Sequence, residues 1–184
     1  MQKLYFMRNG VTAADASQQF NTDDEPLSDN GRLQVRAAAE AAKAEGITID
    51  LIITSPLARA RETATIAAEV LGVDTAHIEL SNFVRERELG ELKGRPYDFF
   101  YADGREYKNI DYIQGAETVA VLQDRARDTL QAIQERFENN ILVVSHGGFG
   151  RAFVRSIKHI PYTDEYRDPK PHDTPPHAQV IQLL

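Results

Sequence analysis

The chain has 184 residues, 42% of them hydrophobic and 27% charged, enough apolar content for one sizeable core in a single domain. Lys plus Arg number 21 against 28 Asp plus Glu, and the net charge of -7 argues against nucleic acid as a partner while leaving room for a local basic pocket. The absence of cysteine removes disulfides, cysteine nucleophiles and thiolate metal sites. No run reaches a membrane-spanning length, and Met1-Gln2-Lys3-Leu4-Tyr5-Phe6 lacks a secretory apolar region, so a cytoplasmic protein away from membranes is expected.

Leu4-Tyr5-Phe6-Met7 reads as a buried strand ending at Arg8-Asn9-Gly10. Residues 11–27 are polar and loop-like. Ser28 and Asp29 offer caps for a helix that carries Leu33, Ala37, Ala41 and Ala44 at helical spacing and stops at Gly46. Ile49 to Thr54 is a second strand. Ser55-Pro56 predicts a helix start, with Ala60, Ala64, Ala67 and Leu71 leading to Gly72. Residues 76–80 suit a short strand. Val119, Leu122, Ala126, Leu130, Ile133 and Phe137 predict a long helix, and Ile141-Leu142-Val143-Val144 a third strong strand. Gly147-Gly148 opens a helix with Phe149, Phe153 and Ile157 on one face, and Val180 to Leu183 suits a final strand. Strands alternating with helices predict an α/β domain with a mostly parallel sheet. Residues 161–177 look like a surface loop.

In such sheets ligands gather beyond the carboxyl ends of the strands. Three predicted strands end in groups suited to an anion: Arg8-Asn9-Gly10, Ser55-Pro56-Leu57-Ala58-Arg59 and Ser145-His146-Gly147-Gly148. The last two also begin helices, whose free N–H groups favour anions. Each alone reads as a surface ion pair or a structural histidine; together they describe a phosphate site. Competing motifs are weak. The segment before Ser145 lacks the first glycine of a nucleophile elbow, no P-loop is present, and His172 and His177 lie in a Pro-rich loop without a supporting zinc-ligand cluster.

These residues carry a family resemblance. The chain resembles the histidine phosphatase superfamily, which includes the cofactor-dependent phosphoglycerate mutases. Arg8-Asn9-Gly10 stands at the family's Arg-His-Gly motif. Ser55-Pro56-Leu57-Ala58-Arg59-Ala60 with Thr63-Ala64, Glu86 with Gly90 and Gly94, Gly115-Ala116-Glu117-Thr118 and Val144-Ser145-His146-Gly147-Gly148 follow in order, as does Pro26-Leu27-Ser28 with Gly31. The resemblance spans nearly the whole chain and implies a single-domain three-layer sandwich over residues 1–184. The aromatic segment at about 95–114 becomes a lid-like insertion, with Tyr97, Tyr101, Arg105, Tyr107 and Lys108 as candidate ligand contacts. For Phe99 and Phe100, packing of the loop is the favoured role.

By the same resemblance the catalytic positions are Asn9, Arg8, Arg59, Glu86 and His146. Arg8, Asn9, Thr12, Asn21, Arg59, His146 and Gly147 form the phosphate and substrate contacts. The family's histidine takes up the phosphoryl group, and Glu86 would protonate the leaving oxygen and then activate water. His146 would be a further phosphate donor, charged when phosphate is bound. No metal or cofactor is implied. The partner is a small phosphorylated substrate or free phosphate, with a homodimer allowed.

Asn9 departs from the pattern at the nucleophile. Its amide nitrogen lone pair is delocalised, so the expectation is binding without normal turnover, with the NH2 group left to donate to phosphate. Asn9 fits either a substrate-trapping form of an otherwise intact phosphatase or a phospholigand-binding pseudoenzyme; the filled remaining positions favour the first. A mutase is the alternative reaction, because Glu86-Arg87 follows the mutase pattern. The short chain and the lack of an adjacent arginine pair in 95–114 favour a phosphatase.

Overall fold

The computed structural model describes residues 2–160 and 174–184. The reading of 161–173 as loop, and His172 with it, lies outside the described residues. Strands β1 (Lys3–Arg8), β2 (Leu51–Thr54), β3 (Ile78–Leu80), β4 (Asn140–Ser145) and β5 (Val180–Gln182) form one sheet in the order β3-β2-β4-β1-β5. The pairings of β2 with β3, β2 with β4 and β1 with β4 are parallel; β5 joins β1 antiparallel at the edge. In register, Arg8 lies beside Ser145 and Thr54 beside Val144. The three strand ends picked out in the sequence therefore sit side by side.

Alternation along the strands sends side chains to two faces. Leu4, Phe6, Ile53, Ile141 and Val143 pack against helices α5 (Val119–Gln134) and α6 (Gly147–Ile157). Tyr5, Met7, Ile52, Leu142 and Val144 pack against α2 (Asp29–Ala44) and α3 (Ala58–Leu71). This is the expected three-layer α/β sandwich. A separate small cluster of Phe20, Leu92, Phe100 and Ile110 ties the short helices α1 (Ala13–Ala16) and α4 (Tyr97–Tyr101) and their flanking turns together. Among the described residues no helix is long and apolar enough to cross a membrane.

Several local expectations are corrected. Ser28 does cap α2, accepting from the Gly31 amide at 3.0 Å, but the helix turns its other side inward. Gly31, Val35, Ala39 and Ala42 are buried, whereas Leu33, Ala37, Ala41 and Ala44 face out. Alanines occupy both sides of this helix, so spacing alone did not choose a face; β-branched Val35 in the core does. Helix α3 starts at Ala58 rather than at Ser55-Pro56; the Ser55 hydroxyl accepts from the Leu57 amide at 3.3 Å and also meets His146 Nε2 at 2.8 Å. Phe137 lies beyond the end of α5 and is 99% exposed. Residues 11–27, read as loop, contain the single turn of α1, started by a capping box between Thr12 and Asp15.

Candidate active site

Beyond the ends of β1, β2 and β4 lies a cavity of about 300 Å³ whose wall includes Arg8, Asn9, Arg59, Glu86, Gly147 and Asn21. Arg8 leaves β1 with its guanidinium flat against Gly147, where an added Cβ would stand 3.1 Å from Arg8 Cζ. Its Nη1 donates to the Pro175 carbonyl at 3.3 Å, while Nε is buried with no partner among the described residues. Arg59, in the first turn of α3, donates from Nη1 to the Thr22 carbonyl at 2.8 Å. Burial pulls both guanidiniums below their ordinary pKa, and the carboxylates of Glu86 and Asp15 push back. Both remain cationic at working pH.

Glu86 is held by the start of α6. Its Oε1 accepts from the Phe149 amide at 3.0 Å and the Arg87 amide at 2.8 Å, and its Oε2 from the Gly148 amide at 3.1 Å. This helix start thus already holds a carboxylate, as its dipole and free N–H groups favour. Gly148 makes the fit possible, since a Cβ there would come within 2.5 Å of Glu86 Oε1.

His146 lies behind the wall, 1% exposed. Its Nδ1 is 3.1 Å from Asn9 Oδ1 and its Nε2 is 2.8 Å from Ser55 Oγ. Asn9 Nδ2 donates to the Gly10 carbonyl at 2.8 Å. A carbonyl only accepts, so this bond fixes the amide's orientation: Oδ1 faces His146, and Nδ1 of His146 carries the proton. Burial first, then Arg59 and Arg8, push the His146 imidazole well below its ordinary value. The structure therefore holds a neutral, fully engaged ring in the chain without phosphate. Asn9 likewise has one amide hydrogen committed to Gly10, which leaves a single hydrogen for a ligand.

Thr12 is fully buried and off the cavity wall. Its hydroxyl donates to Asn21 Oδ1 at 2.7 Å and accepts from the Asp15 amide at 3.0 Å. Thr12 thus shapes the wall through its neighbours instead of touching it. Tyr97, Tyr101 and Tyr107 line the cavity from the 95–114 segment. Burial raises the Tyr101 phenol to about 12, so it serves as a neutral donor. Arg105 and Lys108 do not line it: Arg105 lies over the Phe100 ring and Lys108 pairs with Glu106. Phe100 packs the segment as expected, whereas Phe99 is 57% exposed beneath Arg95.

Among the wall residues that sequence reasoning missed are Arg151 and His177. Arg151 lies over the Tyr107 ring, 4.4 Å from its centroid. His177 donates from Nδ1 to the Asn9 carbonyl at 2.8 Å, and its Nε2 is 4.0 Å from Asp15 Oδ2. Nothing near His177 in sequence announces this. The pairing of β5 with β1, together with a separate parallel bridge between Arg8 and His177, delivers it.

A family model described as histidine phosphatase superfamily (branch 1) matches residues 4–173. The chain belongs to this superfamily. A probable phosphoglycerate mutase of Serratia proteamaculans is 30% identical over 176 residues, covering 91% of this chain and 80% of that protein. An uncharacterized phosphatase of Bacillus subtilis is 30% identical over 159 residues, covering 85% and 78%. Among solved structures, a mycobacterial glucosyl-3-phosphoglycerate phosphatase complexed with VO3 superposes with a TM-score of 0.80 at 21% identity, covering 99% of this chain and 92% of that one. That likeness establishes the three-layer fold. The family places this chain among phosphatases and mutases.

Proposed function

We propose that the cavity binds the phosphoryl group of a small phosphorylated metabolite, and that the scaffold is a metal-independent phosphomonoesterase whose usual route through residue 9 is closed by Asn9. The observation that carries this reading is the buried Nε of Arg8, without a partner among the described residues, on the wall of a cavity that Arg59 also lines. A buried orphan donor is costly, and a phosphate oxygen would satisfy it. The two guanidiniums and the remaining Asn9 hydrogen supply charge stabilisation where a phosphoryl group would react. Glu86 is the candidate proton donor to the leaving oxygen and the base for the attacking water.

Hydrolysis is favoured over mutase transfer by most of the remaining wall. Phe20, Leu89, Ile110 and the three tyrosines offer apolar and neutral surface, with Arg151 a further cation beside them. Arg87 is committed to Asp111, to the Tyr107 carbonyl and to the Glu117 carbonyl. The 95–114 segment then acts as a lid that reads the organic part of the substrate.

Asn9→His tests the reading. Asn9 Nδ2 already donates to Gly10, the bond that a histidine Nδ1–H at this position would make, so the new ring would be oriented on arrival. The variant is expected to hydrolyse p-nitrophenyl phosphate much faster than the parent chain, with no loss to chelators. An inert variant across a broad panel of phosphate esters would sink the reading. Isomerised rather than hydrolysed phosphoglycerate would make it a mutase.

A further inference from the structure

We propose that His177 is the phosphoryl acceptor in this chain, taking over the chemistry that Asn9 cannot perform; this rests on the reading of the cavity as a phosphomonoester site. His177 meets the geometric needs of an imidazole nucleophile. Its Nδ1–H is anchored on the Asn9 carbonyl at 2.8 Å, which fixes the tautomer and leaves the lone pair on Nε2. The ring lines the cavity, and Nε2 has no hydrogen-bond partner among the described residues. Its own segment touches the phosphate-binding arginine, since Pro175 accepts from Arg8 Nη1 and the Ala178 amide donates to the Arg8 carbonyl at 3.0 Å. A phosphoryl group held by Arg8 is therefore delivered beside His177.

The surroundings suit the charge changes. Burial, followed by the Arg8 charge, lowers the His177 pKa, so the ring is neutral and nucleophilic near pH 7. Attack of Nε2 on phosphorus forms the P–N bond and breaks the bond from phosphorus to the ester oxygen. The ester oxygen leaves with the proton of a protonated Glu86. The ring becomes a phosphorylated imidazolium, and the Asp15 carboxylate 4.0 Å from Nε2 faces the new positive charge. Asp15 is restrained for this task, because its oxygens accept from the Thr12 amide at 3.0 Å and from Asn21 Nδ2 at 2.9 Å. Water then attacks phosphorus, loses its proton to Glu86, and breaks the P–N bond, returning neutral His177 and inorganic phosphate.

The test uses the unmodified chain. It is mixed with acetyl phosphate, quenched in alkali, where phosphoimidazole survives, and mapped by peptide mass spectrometry. A phosphoryl group on His177 is expected. His177→Asn, whose amide can still donate to the Asn9 carbonyl, should carry no label and lose about 100-fold of p-nitrophenyl phosphate hydrolysis. Its affinity for inorganic phosphate by calorimetry should move less than about threefold, because the arginine forks remain. An unlabelled chain, a label on another residue, or hydrolysis that survives His177→Asn overturns the proposal. If phosphate binds but no label forms, the acceptor role falls and the pocket reading stands. If phosphate does not bind and Asn9→His is inert, the pocket reading falls as well.

Discussion

The floor of the cavity and the aromatic cap over it solve different problems. On the floor most polar groups are held by partners brought from far along the chain. His146 bridges Asn9 and Ser55, Glu86 takes the first amides of α6, and Arg59 reaches Thr22. In the cap, order comes from aromatic edges. Phe20 meets Tyr97 at 4.8 Å between centroids and Phe100 meets Tyr101 at 4.9 Å, both edge-on. Directional hydrogen bonds fix positions closely, as phosphoryl chemistry requires; ring packing holds shape while tolerating different occupants. One region is built for geometry and the other for selection.

The largest effect that separates them is on stability. Phe153→Ala, in the α5–α6 side of the main core, is expected to cost about 3–5 kcal/mol in urea denaturation. Phe100→Ala removes the same ring from the small cap cluster and should lower the unfolding midpoint less, while opening 95–114 to limited proteolysis. Equal losses would mean that cap and platform unfold as one unit. Next comes the floor itself. In the Asn9→His background, Gly148→Ala drives a methyl into Glu86 and should lower kcat by about 10²-fold or more, the scale of a lost general acid. Arg59→Ala should weaken inorganic phosphate binding by about 1.5–3 kcal/mol in calorimetry, the range for hydrogen bonds to a charged group. Unchanged affinity would remove Arg59 from the site.

A smaller effect appears with pH. His146 is held neutral in the folded chain, with its pKa well below 6.5, the ordinary value to which it returns on unfolding. The unfolded state therefore gains the proton first as pH falls. Stability from this group is present above pH 6.5 and is lost on acidification below it, by at most about 1.4 kcal/mol per pH unit. His177 is shifted the same way and adds to the slope. His146→Gln should flatten the dependence of the urea midpoint on pH; an identical slope in the variant would contradict the neutral ring. Smallest of all, Phe99→Ala on the outer side of the cap should leave stability within about 0.5 kcal/mol.

The floor was more legible than the cap, for a physical reason. Helix starts, strand ends and paired arginines are local in sequence, so Arg8 and Arg59 could be placed before their contacts were known, while Glu86 came from the family resemblance. Tyr107 was named as a candidate contact, but the wall-lining role of Arg151 depends on how one loop lies on a helix, which periodicity does not encode. The inward face of α2 was misread because its many alanines carry little contrast between faces. His146 was found, but its burial and neutrality follow from Ser55 and Asn9 closing around it. Asn9 itself was legible as a chemical break, since an amide is not an imidazole in any fold.

The contact between Asn9 and His177 joins residues 168 positions apart. The floor is therefore missing a wall while the chain is being made, even after β1 through β4 have emerged. The antiparallel edge strand is made after the other four and pairs with the first of them, so completing the sheet and completing the pocket are one event. A nascent chain halted before residue 175 would present Arg8 with no Pro175 carbonyl to hold it. Assembly order thus keeps the basic floor unfinished until the rest of the domain can enclose it.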